Sequence, residues 1–543
     1  MSNAFFKVPE PKNEPILSYA PGSAERAAVK ARLREMKSRE IEIPLIIGGK
    51  EVKTGDLAEI RVPHDHSVRL GVFHRAGEKE VHAAVAAALE ARKTWAALPW
   101  EQRAGVFLKA AETLTTTWRA TLNAATMLGQ SKTVYQAEIE AACELADFWR
   151  FNCHFLTAIM AEQPYSPKGV WNRMEYRPLE GFVFAVTPFN FTAIGGNLPT
   201  APALAGGVSV WKPASSAVYS AYYVMRLLEE CGLPPGVVNF VPGAGSKVGP
   251  VALAHPELAG IHFTGSTQTF QDMWAAVGRN IGRYKYYPRI VGETGGKDFI
   301  FAHASADVDA LVVAALRGAY EYQGQKCSAA ARLYVPRSFW PTFREKFVAE
   351  VKKIKVGDPE DFTNFMTAVI DEAAFNKIVE YIEFAKSSEE AEVIAGGGYD
   401  GARGWFIEPT AILTTNPRFR TMAEEIFGPV LTIYVYPDEK LDETLTLCDT
   451  TSPYGLTGSI FARDRLVLTQ MSDALRNAAG NFYINDKPTA AIVGQQPFGG
   501  GRASGTNDKA GWGLNLLRWL TVRSIKETLV PPKDWRYPFM EEA

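Results

Sequence analysis

From Gly181 to Trp211 the chain carries no charged residue, between Glu180 and Lys212. So long a neutral run could mimic a membrane span, but Pro188, Asn190, Gly195, Gly196, Asn197, Pro199, Pro202, Gly206 and Gly207 punctuate it. Breakers free backbone groups that hydrocarbon cannot satisfy. The stretch therefore reads as strand, loop, helix and strand inside a globular core, and no membrane span is expected. Apolar runs continue at Val237–Val241 and Ile261–Phe263. A helix precedes them, with Val218, Ala221, Tyr222, Met225 and Leu228 on one face. Ser215 or Ser216 is its expected cap, and Gly232, Pro234 and Pro235 its end. Strand-helix alternation predicts a parallel sheet covered on both faces, with ligands at the carboxyl ends of its strands.

A second alternating series runs from about 290 to 483, with apolar runs at Phe299–Ala302, Leu333–Val335, Val430–Val435 and Leu456–Phe461. The boundary between the two series falls near Gly292–Gly296. Ahead of both, the first forty residues read as a surface arm, and Glu78 to Met160 follow a helical period. Residues 163–180 are turn-rich and suggest a hairpin, and Ser524–Val530 reads as a late strand. A length of 543 residues suits two or three domains.

A formal net charge of -2 leaves no broad basic field, so no nucleic-acid partner is expected. Five widely spaced cysteines form neither a disulfide framework nor a zinc spacing, and they suit a reducing compartment. The eight histidines make no ligand pair, so no metal is expected. The first residues show neither an apolar export signal nor an Arg-rich transit pattern. The expectation is a cytoplasmic protein, or a mitochondrial-matrix one if the source is eukaryotic.

Three glycine clusters could hold a nucleotide. Gly396-Gly397-Gly398-Tyr399-Asp400-Gly401 fits G-x-G-x-x-G, but Trp405, Phe406 and Pro409 follow where a helix is needed, so a dinucleotide loop is not expected. Gly243 to Gly249 lies after a strand and before a helix, where a phosphate loop and a tight turn are equally open. Phe263-Thr264-Gly265-Ser266-Thr267 closes a strand with N–H groups and hydroxyls suited to a pyrophosphate.

Cys327 stands in the polar loop Gly324-Gln325-Lys326-Cys327-Ser328, between a helix over about 307–322 and a strand. It is either a surface thiol or a nucleophile, with Lys326 at hand to favour the thiolate. Cys143, Cys153, Cys231 and Cys448 lie in helical or apolar surroundings and read as structural. A thiol that attacks an aldehyde needs a donor for the oxyanion, a base for water and a hydride acceptor, which must be a cofactor. Asn190 at an apolar strand end is such a donor or a turn tie. Glu293, after Ile290-Val291-Gly292, is such a base or an ion-pair partner of Lys297.

TPFN (Thr187–Asn190), WKPA (Trp211–Ala214), FTGS (Phe263–Ser266), GETGGK (Gly292–Lys297), GQKCSA (Gly324–Ala329), EIFGPV (Glu425–Val430) and PFGG (Pro497–Gly500) follow one another along the chain. In that order they resemble the aldehyde dehydrogenase superfamily over nearly the whole length. The resemblance implies an α/β aldehyde dehydrogenase fold: a Rossmann-like NAD-binding domain, an α/β catalytic domain and a small β oligomerisation flap. It assigns 1–40 to an N-terminal arm, 41–162 and 181–291 to the NAD-binding domain, and 292–488 to the catalytic domain. Residues 489–513 return to the NAD-binding domain with a substrate-anchor loop, and 163–180 with 514–543 form the flap. It implies Cys327 as nucleophile, Asn190 as oxyanion donor and Glu293 as base. Lys212 and Glu425 would hold the two riboses of NAD, Gly265 and Ser266 the pyrophosphate, with Phe427, Thr187 and Pro188 beside the cofactor. Ser215 is neutral where many NAD-preferring relatives carry glutamate, so some NADP use is also implied.

Further segments narrow the likeness: GQSKTVYQAEIE (Gly129–Glu140), TPFNFTAIGGNLPTAPAL (Thr187–Leu204), FTGSTQTF (Phe263–Phe270), NAAGNFYINDKPT (Asn477–Thr489) and VGQQPFGGGRASGTNDKAG (Val493–Gly511). They resemble the branch that oxidises L-glutamate γ-semialdehyde to L-glutamate in proline catabolism. There Ser328 and the loop residues Ala490 and Ala491 would anchor the substrate carboxylate, although glycine is more usual at the first loop position. Phe191 and Phe498 would box the aliphatic linker, and Glu144 would meet the ammonium unless it is an exposed helix charge. Rival readings are another semialdehyde such as succinate semialdehyde, a coenzyme A-acylating variant, a cysteine hydrolase, and a non-enzymatic binding protein on the same scaffold. The resemblance also implies a homodimer or higher homo-oligomer, and admits proline dehydrogenase as a transient partner.

Overall fold

In the computed structural model, which describes residues 4, 6–489 and 491–542, the uncharged stretch folds as its breakers foretell. Strand Phe182–Val186 leads to helix Thr192–Leu204 and then strand Val208–Lys212. Every residue of that helix is buried although Pro199 and Pro202 lie inside it. A proline removes a donor to the carbonyl four residues back. The carbonyl that Pro202 orphans, on Leu198, is bonded to the His262 ring Nδ1 at 2.9 Å. Core packing therefore completes a helix that propensity alone would break.

This unit forms the middle of a seven-stranded sheet. The order is Arg289–Glu293, Leu258–Thr264, Phe182–Val186, Val208–Lys212, Val238–Phe240, Leu45–Ile47 and Lys50–Val52. The first five strands are parallel and the last two pairings antiparallel. From Phe182–Val186 the chain adds two strands on one side, then crosses to add two on the other. That reversal opens a crevice at the carboxyl end of Phe182–Val186, the usual place for a ligand in such sheets. Trp211 is fully buried beneath it and donates its indole N–H to Thr187 Oγ1 at 2.9 Å. Burying such a ring contributes about 2–3 kcal/mol.

The second series forms another seven-stranded sheet: Ala391–Ala395, Thr410–Thr414, Val430–Tyr436, Ala330–Pro336, Asp298–Ala302, Thr457–Phe461 and Asn481–Ile484. All its pairings are parallel except the first. Strand Val170–Pro178 pairs antiparallel with Leu520–Thr528, a late strand that begins earlier than the sequence suggests. No helix among the described residues is long and apolar enough to cross a membrane.

Three local expectations change. The arm contains a helix, Ala24–Lys37, whose Val29, Leu33 and Met36 are buried; the prolines lie only before it. Neither Ser215 nor Ser216 caps helix Val218–Glu230, because residues 215–217 form a 3-10 turn and Ala217 is the N-cap. The helical region is interrupted by a π-helical turn over Glu138–Glu144. Such turns widen a helix by one residue and concentrate at functional sites.

Candidate active site

Residues at the carboxyl ends of the first sheet open onto one cavity of about 940 Å³. Thr187, Pro188 and Asn190 follow one strand, Lys212 ends the next, and Gly265 and Ser266 follow a third. Glu425, Phe427 and Cys327 line it from the second sheet's side. Three further residues, Gly245, Ser246 and Gly249, belong to helix Gly245–Ala254, which starts without a side-chain cap. The Gly243–Gly249 cluster is their signal in the sequence, where it fits a phosphate loop and a tight turn equally well. A Cβ on Gly245 or Gly249 would meet nothing within 4 Å, so bare backbone faces open space there. Ser215 is exposed next to Ala214, which lines the cavity, and does not itself line it. The Gly396–Gly401 motif follows strand Ala391–Ala395 and contains the short strand Tyr399–Asp400, which pairs with Phe406–Ile407, away from the cavity.

The cysteine loop is set by an unusual turn. Helix Val308–Tyr320 gives way to Tyr322, Gln323 and Gly324 with φ of 51°, 54° and 65°. Left-handed backbone disfavours the first two, and glycine alone fits the third. A Cβ on Gly324 would sit 2.1 Å from the Gly428 carbonyl oxygen. Gln325 Oε1 accepts the Ile370 N–H at 2.9 Å, which pins the loop. The Gln325 carbonyl accepts from Asn190 Nδ2 at 3.1 Å. One N–H of the Asn190 amide is thereby fixed, and its second N–H has no partner among the described residues.

Burial, reinforced by Glu293 and Asp298, raises the Cys327 pKa well above the usual thiol value. Lys326 does not relieve this, because its ammonium is buried and pairs with Glu321 at 3.0 Å. The other four cysteines are buried, whereas Cys327 is partly accessible.

Glu293 ends its strand half-buried, and burial raises its carboxyl to about 8. Its Oε1 has no hydrogen-bond partner among the described residues. Lys509 is the cation that acts on it, and the alternative ion pair with Lys297 is absent among the described residues. Glu293 lines a small void of about 20 Å³ with His262, Asp508 and Lys509, not the cavity that Cys327 lines. Glu425, by contrast, is anchored: its Oε1 accepts the Gly296 N–H at 2.9 Å. Burial lowers the Lys212 amine to about 8.

The residues expected around a substrate sit apart from the large cavity. Ser328 is buried immediately after Cys327, and Phe498 exchanges backbone hydrogen bonds with Ala510 at 3.0 and 2.8 Å. Ala491 is half-buried, and Ala490 lies outside the described residues. Phe191 packs against Lys132. Glu144 is no exposed helix charge: it ends the π-helical turn half-buried, and burial raises its carboxyl to about 8.

A partly accessible thiol, a tethered amide and a large strand-end cavity suit aldehyde oxidation on a cofactor. Comparison with known proteins agrees. The chain is 52% identical over 536 residues to "Delta-1-pyrroline-5-carboxylate dehydrogenase, mitochondrial" of Dictyostelium discoideum, covering 98% of this chain and 96% of that one. It superposes on the crystal structure of the Delta-pyrroline-5-carboxylate dehydrogenase from Mycobacterium tuberculosis bound with NAD at a TM-score of 0.97. That pair shares 52% identity and covers 100% of both chains. The 1-pyrroline-5-carboxylate dehydrogenase from Thermus with bound NAD matches at a TM-score of 0.90 and 33% identity, over 96% of this chain and 100% of that one. The model named "Aldehyde dehydrogenase family" matches residues 52–525. With its motifs in order and its site built on their strand ends, this chain belongs to the aldehyde dehydrogenase family.

Proposed function

We propose that the chain oxidises L-glutamate γ-semialdehyde to L-glutamate with NAD, as a step of proline catabolism. The observation that carries this reading is the shared cavity of Cys327, Asn190, Lys212, Gly265, Ser266 and Glu425. Likeness over nearly the whole chain to relatives named as delta-1-pyrroline-5-carboxylate dehydrogenases narrows the substrate.

The cavity fits the cofactor in size and in donors. Lys212 and Glu425 suit ribose hydroxyls, and Ser266 with the bare backbone at Gly245 and Gly249 suits a pyrophosphate. NAD, when bound, supplies the hydride acceptor that no side chain provides. Cys327 Sγ attacks the aldehyde carbon as its proton passes to water in the open cavity. The Asn190 amide and the Cys327 N–H hold the resulting alkoxide. As the C–O⁻ collapses to a carbonyl, the carbon gives up its hydride and a thioester on Cys327 remains. Glu293, held by no hydrogen bond at Oε1, turns to take a proton from water. Water oxygen bonds the acyl carbon, the C–S bond breaks, and the thiol is restored.

Ser328 with Ala490 and Ala491 is assigned to the substrate carboxylate, Phe191 and Phe498 to its linker, and Glu144 to its ammonium. The two sheets support reading 41–162 with 181–291 as the cofactor domain and 292–488 as the catalytic domain. The ribbon of Val170–Pro178 and Leu520–Thr528 exposes Trp171 and Val522, followed by Leu529 and Val530. Such an apolar edge suits a flap between copies, giving a homodimer or higher homo-oligomer. Free cysteines suit a reducing compartment, the cytoplasm or a mitochondrial matrix.

The test is NADH formation with glutamate γ-semialdehyde beside succinate semialdehyde, in the native chain and in Cys327→Ala. Turnover of the amino-acid substrate that disappears in the variant is expected. Turnover with succinate semialdehyde alone would discard the substrate, and turnover that survives Cys327→Ala would discard the nucleophile.

A further inference from the structure

The segment Gly129–Glu140 carries part of the likeness, yet the proposed chemistry uses none of it. Within it Lys132 is fully buried, and its ammonium pairs with Glu140 at 2.8 Å. The same nitrogen lies 4.3 Å from the ring centroid of Phe191 and 4.3 Å from that of Tyr322. Those rings belong to different loops. Phe191 follows Asn190 directly, and Tyr322 opens the left-handed turn that leads to Cys327.

The grip extends past the rings. The second Glu140 oxygen accepts the Ala193 N–H at 3.0 Å, in the first turn of helix Thr192–Leu204. Beside Lys132, the left-handed Ser131 offers its carbonyl to Gln323 Nε2 at 3.2 Å. The Asn190 loop and the Cys327 loop thus meet the same short segment, as well as each other through Asn190 and the Gln325 carbonyl. A desolvated ammonium attracts aromatic faces strongly and cannot leave its carboxylate partner.

We propose that Lys132 is a positioning residue: by holding Phe191 and Tyr322 against one ammonium, it fixes the Asn190 amide relative to the Cys327 thiol. It touches neither reacting atom and acts through the two rings. The proposal rests on the assignment of Cys327 as nucleophile and Asn190 as oxyanion donor.

The neutral pair Lys132→Met with Glu140→Gln keeps volume and leaves no lone charge. Three readouts apply: kcat and KM, the rate of Cys327 alkylation by iodoacetamide, and the Kd for NAD. Because the other cysteines are buried, alkylation reports on Cys327 and needs no substrate. Native protein that fails to oxidise the semialdehyde would sink the assignment, while alkylation would still test Lys132. The neutral pair is expected to lower kcat/KM about 100-fold and to slow alkylation, with the NAD Kd within about twofold of native. Adding Phe191→Leu to it is expected to cost less than the product of the separate losses. Losses that multiply, or a lowered Tm with native kinetics, would overturn the proposal. If the neutral pair does not fold, the cycle of Phe191→Leu and Tyr322→Leu replaces it: coupled losses support a shared ammonium, and independent losses overturn it.

Discussion

The two walls of the cavity are built on different principles. On the first sheet's side, Thr187, Lys212, Gly265 and Ser266 lie at or just after the ends of parallel strands. Their placement is local, because a strand end fixes the position of the next few residues. On the opposite side, the Cys327 loop is held by residues remote in sequence. Asn190 reaches the Gln325 carbonyl, Gln325 reaches Ile370, and Lys132 reaches Phe191 and Tyr322. Under the proposed function, the strand-end wall is a platform for binding and the loop wall a clamp for chemistry. Substitutions on the two walls should therefore fail in different ways.

The largest split should come from Glu293→Gln. Steady-state turnover is expected to fall by about 10²–10⁴, while a single burst of NADH per site persists, because only the water step needs the base. The native carboxyl sits at about 8, so it is protonated below that pH and becomes a base as pH rises through it. Steady-state kcat should accordingly rise through about pH 8 and level above it, and the variant should lose that limb. A limb unchanged in Glu293→Gln would assign it to another group. Next, Asn190→Ala should lower burst and steady-state rates together by about 10²–10³, with NAD affinity intact. Equal loss of NAD affinity would erase the distinction between clamp and platform. The smallest effect is expected on the platform. Lys212→Met should weaken NAD binding roughly tenfold or more, with the burst amplitude restored at saturating cofactor. A burst that stays low at saturation would place Lys212 in the chemistry instead.

Legibility in the sequence followed the same division. The core strands of both sheets, helix Val308–Tyr320 and the strand-end ligands were readable because period and breakers act over a few residues. Even there, local rules failed where tertiary contacts compete. Pro199 and Pro202 read as breakers, yet they sit inside one helix whose freed carbonyl His262 recovers. A literal G-x-G-x-x-G at Gly396 leads from strand Ala391–Ala395 into the short strand Tyr399–Asp400, and no helix follows it.

The loop wall was legible only as a set of residue types. Cys327, Asn190 and Glu293 stood out in order along the chain, but their relations did not. Lys326 stood where it could favour the thiolate slightly or point away, and it is committed to Glu321. Glu293 faces Lys509 and a void of its own instead of the cavity that Cys327 lines. Glu144 looked like a candidate for solvent and is half-buried on a π-helical turn that no short pattern announces.

By itself the sequence determined the family, the alternation of strands and helices, and which thiol, amide and carboxylate could carry the reaction. Those properties depend on residue identity and on spacing along the chain. Tertiary structure alone decided which charges neutralise which, as with Lys132 and Glu140 or Lys326 and Glu321. It also decided which amide hydrogens stay free and which carboxyls stay protonated. The reason is that burial and pairing are set by groups from distant segments, and desolvation outweighs intrinsic acidity once water is excluded.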